Sequence, residues 1–234
     1  MKMMILVLVS SVLMAESIEM QEVEIDEKFN TVILNDISGE ELKSADLAES
    51  LTRTVPSISL VRRSGIANDI ILRGQKKDNI NILADGTKTY GACPNRMDPA
   101  TSHILTNNIE SVEVTEGPYD VENFGTLSGL IDIKTKKPSE DFEGEVNLNA
   151  GSWNYTKASA TVSGGYDKLR ILLSTSKESS DQYEDGNGDI LSKQVQNYID
   201  KQGGDSNAAY KDQYTDLEAY EKKSFMGKLF YNPT

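Results

Sequence analysis

The sequence predicts an α+β domain followed by antiparallel transmembrane β-barrel strands that form an incomplete barrel. Three observations carry this. An apolar segment at the N-terminus marks export. Residues 28–138 mix short helical and alternating segments punctuated by turn residues. Beyond Pro138 the pattern becomes a sustained period of two, with one apolar and one wet face.

The N-terminal segment comes first. Lys2 supplies a positive start, residues 3–14 form a nearly unbroken apolar run with Ser10 and Ser11 inside it, and Ala15 offers a small residue for cleavage before Glu16. That is the layout of a signal peptide over residues 1–15. The run is too short for a bilayer span, which takes about 20 residues. Its removal takes away Lys2 alone among the charges, so the net charge of −13 would become −14. A chain this acidic lacks the basic footprint expected for nucleic acid. Residues 16–27 are polar and acidic, with scattered Met20, Val23 and Ile25, and read as a flexible N-terminal arm.

Within residues 28–138, residues 31–34 read as a strand. Ser38 with Glu41 three positions on has the form of a capping box. Residues 44–51 continue as a helical segment closed by Pro56. Residues 57–61 and 69–72 are strand-like. Residues 79–84 alternate and stop at Asp85-Gly86, a hairpin signal. A helical turn is expected over 102–107, and strands over 109–115 and 130–135.

In residues 139–234, Val146, Leu148 and Ala150 point one way, with Glu145, Asn147 and Asn149 opposite. Ala158, Ala160 and Val162 alternate with Lys157, Ser159, Thr161 and Ser163. Leu169, Ile171 and Leu173 alternate with polar residues, Leu172 being the exception. A tight connection around Tyr166-Asp167-Lys168 and a long polar one over 179–223 match a membrane barrel, with short turns at one end and long loops at the other. A soluble sandwich shares the period. Four strands cannot close a barrel, and an open edge cannot face lipid, so the chain is expected to be part of a longer one.

The most distinctive string is Tyr90-Gly91-Ala92-Cys93-Pro94-Asn95-Arg96-Met97-Asp98-Pro99, which holds the single cysteine of the chain. On a helical turn, positions i and i+4 share a face, so the sulfurs of Cys93 and Met97 would reach one point. Thiolate and thioether together select soft metals, Cu(I) above all. Pro94 presets φ and suits the first position of such a turn. Exported proteins usually pair their cysteines; the bland alternative is a buried thiol acting as a small hydrophobe.

The ordered strings Ile71-Leu72-Arg73-Gly74, Leu83-Ala84-Asp85-Gly86, Ile109-Glu110-Ser111-Val112-Glu113-Val114, Glu116-Gly117-Pro118 and residues 127–136 resemble the plug domain of the TonB-dependent outer-membrane receptors. The Cys93 string looks like the copper-receptor subgroup, in which a plug Cys-x-x-x-Met motif binds copper. The resemblance implies Cys93 and Met97 as ligands and copper, as Cu(I), as cargo. It also implies TonB as partner through the N-terminal arm, and a place in the outer membrane of a Gram-negative bacterium, against its lipid. Two departures stand out. The energy-coupling TonB box is only loosely matched by residues 18–25, and the barrel-loop histidine and methionine that complete such copper sites are not found in these residues.

Other candidates read as structural. His103 is taken as a surface or packing histidine, and Met20 and Met226 as incidental. Lys76-Lys77-Asp78 is taken as an exposed turn. Asp185-Gly186-Asn187-Gly188-Asp189 begins like a calcium loop but lacks its sixth-position glycine and twelfth-position carboxylate. No nucleophile triad, phosphate loop or carboxylate pair is present, so no enzyme is expected. Three functions remain: a copper-uptake receptor; a receptor of the same fold for a siderophore, haem or cobalamin; and a soluble periplasmic copper-binding protein.

Overall fold

A computed structural model describes residues 23–26, 31–35, 46–63, 65–93, 97–118, 122–123, 125–203 and 209–233. The signal-peptide, capping-box and most TonB-box expectations fall outside these residues.

The N-terminal part holds two sheets. Six strands run in the order β1 (Val23–Asp26), β2 (Thr31–Asn35), β8 (Ile109–Glu116), β9 (Gly129–Thr135), β6 (Ile80–Ala84), β7 (Thr87–Lys88). Only the β6–β9 pair is parallel. Three more strands, β3 (Ile58–Val61), β4 (Asp69–Leu72) and β5 (Gln75–Lys76), form a small antiparallel sheet. The strand β1 corrects the sequence reading of an irregular arm through residue 27: these four residues pair along β2.

Local chemistry explains the elements. Helix α1 (Leu47–Thr54) starts where the Asp46 carboxylate accepts from the Ala48 amide at 2.9 Å, an N-cap bond. Leu47, Ala48, Leu51 and Val55 line its buried stripe, while Glu49 and Arg53 pair at i,i+4 on the open face. It ends before Pro56, whose ring disfavours helical backbone at Val55. The turns Arg73-Gly74 and Asp85-Gly86 have positive φ at both residues, the two-residue hairpin geometry that glycine favours. Leu34, Ile70, Leu72, Val112, Val114, Ile131 and Ile133 form the core with the α1 stripe. Gly129 lets β9 pass the Leu72 side chain and the Thr115 carbonyl, which any Cβ would strike.

The C-terminal part is one antiparallel sheet, β10 (Glu143–Ala150), β11 (Thr156–Tyr166), β12 (Leu169–Ser180) and β13 (Tyr220–Tyr231), in sequence order. Its burial is inverted relative to a soluble sheet. Ser159, Ser163, Ser174, Ser176 and Ser180 are only 2–9% exposed, whereas Val146, Leu148, Val162, Ile171, Leu173, Phe225 and Leu229 are 38–76% exposed. A sandwich buries its apolar face. A barrel wall turns that face to lipid and its polar face inward, so the ambiguity left by the period of two resolves to barrel strands. Leu172, the exception in the alternation, is buried on the inner face. Phe142, Tyr166 and Tyr231 are exposed at the end that carries the two-residue turn after Tyr166, where an interfacial aromatic girdle belongs.

The long connection after β12 contains a helix that the sequence reading treated as polar loop. Helix α2 (Leu191–Gln202) buries Ser192 and Ile199 and is terminated by Gly203 in the left-handed conformation. Its signal was present in the spacing of Leu191, Val195 and Ile199 and in the glycine stop.

Candidate metal site and its setting

Cys93 and Met97 lie in the loop between β7 and a 3₁₀ turn, Ala100–His103. Neither residue is in a helix. The helical turn expected between them runs through Pro94, Asn95 and Arg96, which lie outside the described residues. The described ends of this segment, Gly91 and Asp98, meet in a backbone pinch. Gly91 packs against the Asp98 carbonyl so closely that any Cβ at residue 91 would collide with it. Both sulfur-bearing residues sit inside that closure, Cys93 half-buried and Met97 65% exposed.

Asp98 anchors the far side of the loop. Its Oδ1 lies 2.8 Å from His103 Nε2 and 3.2 Å from Ser102 Oγ. The single histidine thus supports the residue next to Met97, a closer association with the loop than the sequence suggested. Ser102 also bonds the Pro99 carbonyl at 2.7 Å, and Thr101 Oγ1 donates to the Asn68 carbonyl at 3.0 Å. The Asn68 amide in turn donates to Asp46 Oδ2 at 2.6 Å. Burial raises the Asp46 carboxyl above its ordinary value, against the pull of these amide bonds and of nearby Lys222. Among the described residues, no three His, Cys, Asp or Glu side chains are grouped to hold a metal.

The inner face of the barrel strands meets this domain through polar contacts at three levels. Near the end that carries the long connection, Lys157 Nζ donates to Thr106 Oγ1 at 3.0 Å and Lys222 Nζ to the Ser102 carbonyl at 3.1 Å. Midway, Ser174 links to the Asn107 and Asn108 side chains at 3.2 and 2.7 Å. Near the other end, Lys228 meets Asp85 at 3.2 Å and also bonds Thr135. Burial works against the Asp85 charge, but the Thr135 hydroxyl and amide and the Lys228 ammonium outweigh it and hold this carboxyl below its ordinary value. The sequence analysis picked none of these residues as functional. Their signal was charge, Lys157, Glu178 and Lys222, at inward register positions of strands whose inner face is rich in serine.

Two further motifs find places. Arg73 faces Glu116 at 4.0 Å, joining the Leu-Arg-Gly and Glu-Gly-Pro strings. In the calcium-like string, Asp185 Oδ1 accepts from the Asn187 and Asp189 amides, and Asp189 pairs with Lys193 at 2.5 Å. The carboxylates are engaged within a turn, as a solvated loop requires.

Residues 28–129 match the family described as TonB-dependent Receptor Plug Domain. Two curated relatives are the ferric-pyoverdine 358 receptor of Pseudomonas putida and the ferric aerobactin receptor of Klebsiella pneumoniae. The first is 30% identical over 50% of this chain and 14% of its own length, and the second is 28% identical over 62% and 20%. Among solved structures, the copper transporter OprC is 28% identical with a TM-score of 0.61, over 73% of this chain and 27% of its own. The pyoverdine outer membrane receptor FpvA of Pseudomonas aeruginosa PAO1 shares the fold, at 20% identity and a TM-score of 0.55, over 70% and 23%. The chain therefore spans a fifth or less of the length of the curated relatives it matches. The proteins it matches are receptors and transporters, not enzymes. With its plug match over residues 28–129, its sheet order and its inside-out strands, the chain carries a TonB-dependent receptor plug domain followed by barrel strands in the fold of those receptors.

Proposed function

We propose that this chain supplies the plug and first barrel strands of a copper-uptake receptor, with Cys93 and Met97 as metal ligands. The observation that carries the reading is the pinched loop. It holds a thiol and a thioether within one short closure, and its 3₁₀ anchor sits at the level of Lys222, near the end with the long connection. In barrels of this class long loops face outside, so the loop meets incoming cargo. The likeness to a copper transporter supports the same cargo. Thiolate donation favours the cuprous state, and thioether adds a soft ligand that needs no deprotonation. Release would follow TonB pulling on the N-terminal arm and rearranging the plug.

A second reading, a ferric-siderophore receptor, is favoured by the names of the curated relatives. A Cu(I) titration of the full chain in detergent against a colorimetric chelator separates the two. The copper reading predicts about one copper per chain, lost in Cys93→Ser and weakened in Met97→Leu by about tenfold, near 1.4 kcal/mol. Equal, negligible binding in all three proteins would overturn it in favour of a chelated cargo with a structural Cys93.

A further inference from the structure

The outer face of the barrel strands carries little charge. Among the residues that the register of β10–β13 turns outward, those charged at neutral pH are Lys177, Glu221 and Lys223. All three lie near the end with the long connection, the external end of a barrel wall. Lys177 and Lys223 are directly opposite one another, and Glu221 sits one rung further out, opposite Ser179. The Glu221 carboxylate accepts from both ammoniums, 3.2 Å from Lys177 and 2.6 Å from Lys223. Two cations thus share one anion and leave an excess positive charge. Like charges directly opposite across a sheet are destabilising. The two lysine side chains are 62% and 63% exposed, open to a second anion.

An apolar trough begins on the next rung inward. Val146, Ala160, Thr175 and Phe225 form that rung across the four strands. With Val162 and Leu173 on the rung below, they line an open groove of about 330 Å³. The short side chains of Ala160 and Thr175 make its floor between Val146 and Phe225. A second depression shares Val162 and Leu173 with it and carries it on past Ile171. From Thr175 to Leu169 the path is roughly 20 Å, at about 3.4 Å per residue, deep enough for one leaflet of a hydrocarbon core about 30 Å thick. Residues two apart on one strand face are separated by about 7 Å. Lys177 is one such step from Thr175, and Lys223 one step from Phe225, so both ammoniums stand at the mouth of the trough. Barrel closure adds strands at the free edges of β10 and β13, beside this face and not over it.

We propose that this surface binds a phosphate-bearing lipid of the external leaflet, with the headgroup phosphate bridging Lys177 and Lys223 and an acyl chain in the trough. An acyl chain suits the groove and an anion suits the excess cation. A lipid that joins the two at this spacing satisfies both. A zwitterionic headgroup brings its own ammonium against the lysines and gains less. The site touches no plug residue and is independent of the cargo.

The test titrates lipid A, a diphosphorylated lipid, and zwitterionic phosphatidylethanolamine into the full chain in nonionic detergent, with bound lipid counted by native mass spectrometry. A lysine near an anionic lipid surface is worth about fivefold in affinity. Lys177→Gln and Lys223→Gln should each weaken lipid A binding about fivefold, and the double substitution on the order of 30-fold. Glu221→Gln should tighten it by removing the competing carboxylate. Ala160→Phe should weaken it with both lysines in place, because the ring fills the trough floor. Lys193→Gln, an equal loss of charge on helix α2, should leave it unchanged. Should the glutamine variants fold poorly, Lys177→Arg/Lys223→Arg keeps the charge and should bind as the wild type does. Equal binding of lipid A by the wild type and the double glutamine variant would overturn the proposal, as would equal affinity of the wild type for the two lipids. Full displacement of lipid A by millimolar inorganic phosphate would also overturn it, leaving a free-anion contact in place of a lipid site.

Discussion

In the six-stranded sheet, Val112, Val114, Ile131 and Ile133 are wholly buried and their polar neighbours Glu113 and Lys134 are not. On β11 and β12, Ser159, Ser174 and Ser176 occupy the buried positions, together with Lys157 and Glu178, while Val162, Ile171 and Leu173 stand exposed. Both sheets are written in the same alternation of apolar and polar residues. What differs is the solvent each was built for. The plug sheet excludes water from apolar side chains, at about 25 cal/mol per Å². The barrel sheet gives its apolar face to lipid and must satisfy its polar face against the plug, since a buried polar group without a partner costs about 1–3 kcal/mol. Among the described residues, the seam between plug and barrel is thus held in register by hydrogen bonds and an ion pair.

Breaking the seam at its most buried pair should have the largest effect. Lys157 and Glu178 lie 3.8 Å apart with side chains 4% and 6% exposed. Removing one member of such a pair costs about 3–5 kcal/mol. Tyr220 and Lys222 remain to support Glu178, so Lys157→Met should lose about 3 kcal/mol, read as a lower urea midpoint. The single tryptophan, Trp153, in contact with the Tyr183 ring, provides the fluorescence signal. Lys157→Met/Glu178→Leu should recover most of the loss. A single substitution as stable as the wild type would mean that the seam is not what seats the plug.

The outer face sharpens the comparison from the other side. Leu173 is 43% exposed near the middle of β12. Leu173→Lys should cost about 2–3 kcal/mol for folding into lipid vesicles and nearly nothing in stability of the plug itself. The smallest effect is expected at Asp85. Its folded carboxyl lies below the ordinary 3.8, so its contribution is fully present above about pH 4 and fades as pH falls through the lowered folded value. The carboxylate is half exposed, and solvent keeps such a contribution small. Asp85→Asn should therefore lower stability slightly at pH 7 and hardly at all at pH 3, flattening the acid limb of the stability–pH profile; a larger loss at pH 3 than at pH 7 would carry the wrong sign.

What the sequence disclosed was what is local. Asp85-Gly86 marked a hairpin because its two positive-φ residues are a short-range requirement. Residues 44–51 announced α1 through the spacing of Leu47, Ala48 and Leu51, and each barrel strand announced its period. The direction of burial was not legible, because an alternating strand reads the same from either face. The four-residue strand β1 was too short to show a period, and α2 was masked by its polar surroundings. At the site, Cys93 and Met97 stood out by residue type. Their supports did not, because Lys222 reaches Ser102 across 120 positions of sequence and nothing nearby in the chain marks either residue.

The measurement that tests the central claim most directly is X-ray absorption at the copper edge of the full chain loaded with one equivalent of Cu(I). Two sulfur scatterers in the wild type, falling to one in either Cys93→Ser or Met97→Leu, is the predicted result. A copper shell of nitrogen and oxygen alone, unchanged by both substitutions, would contradict a sulfur site in the plug loop.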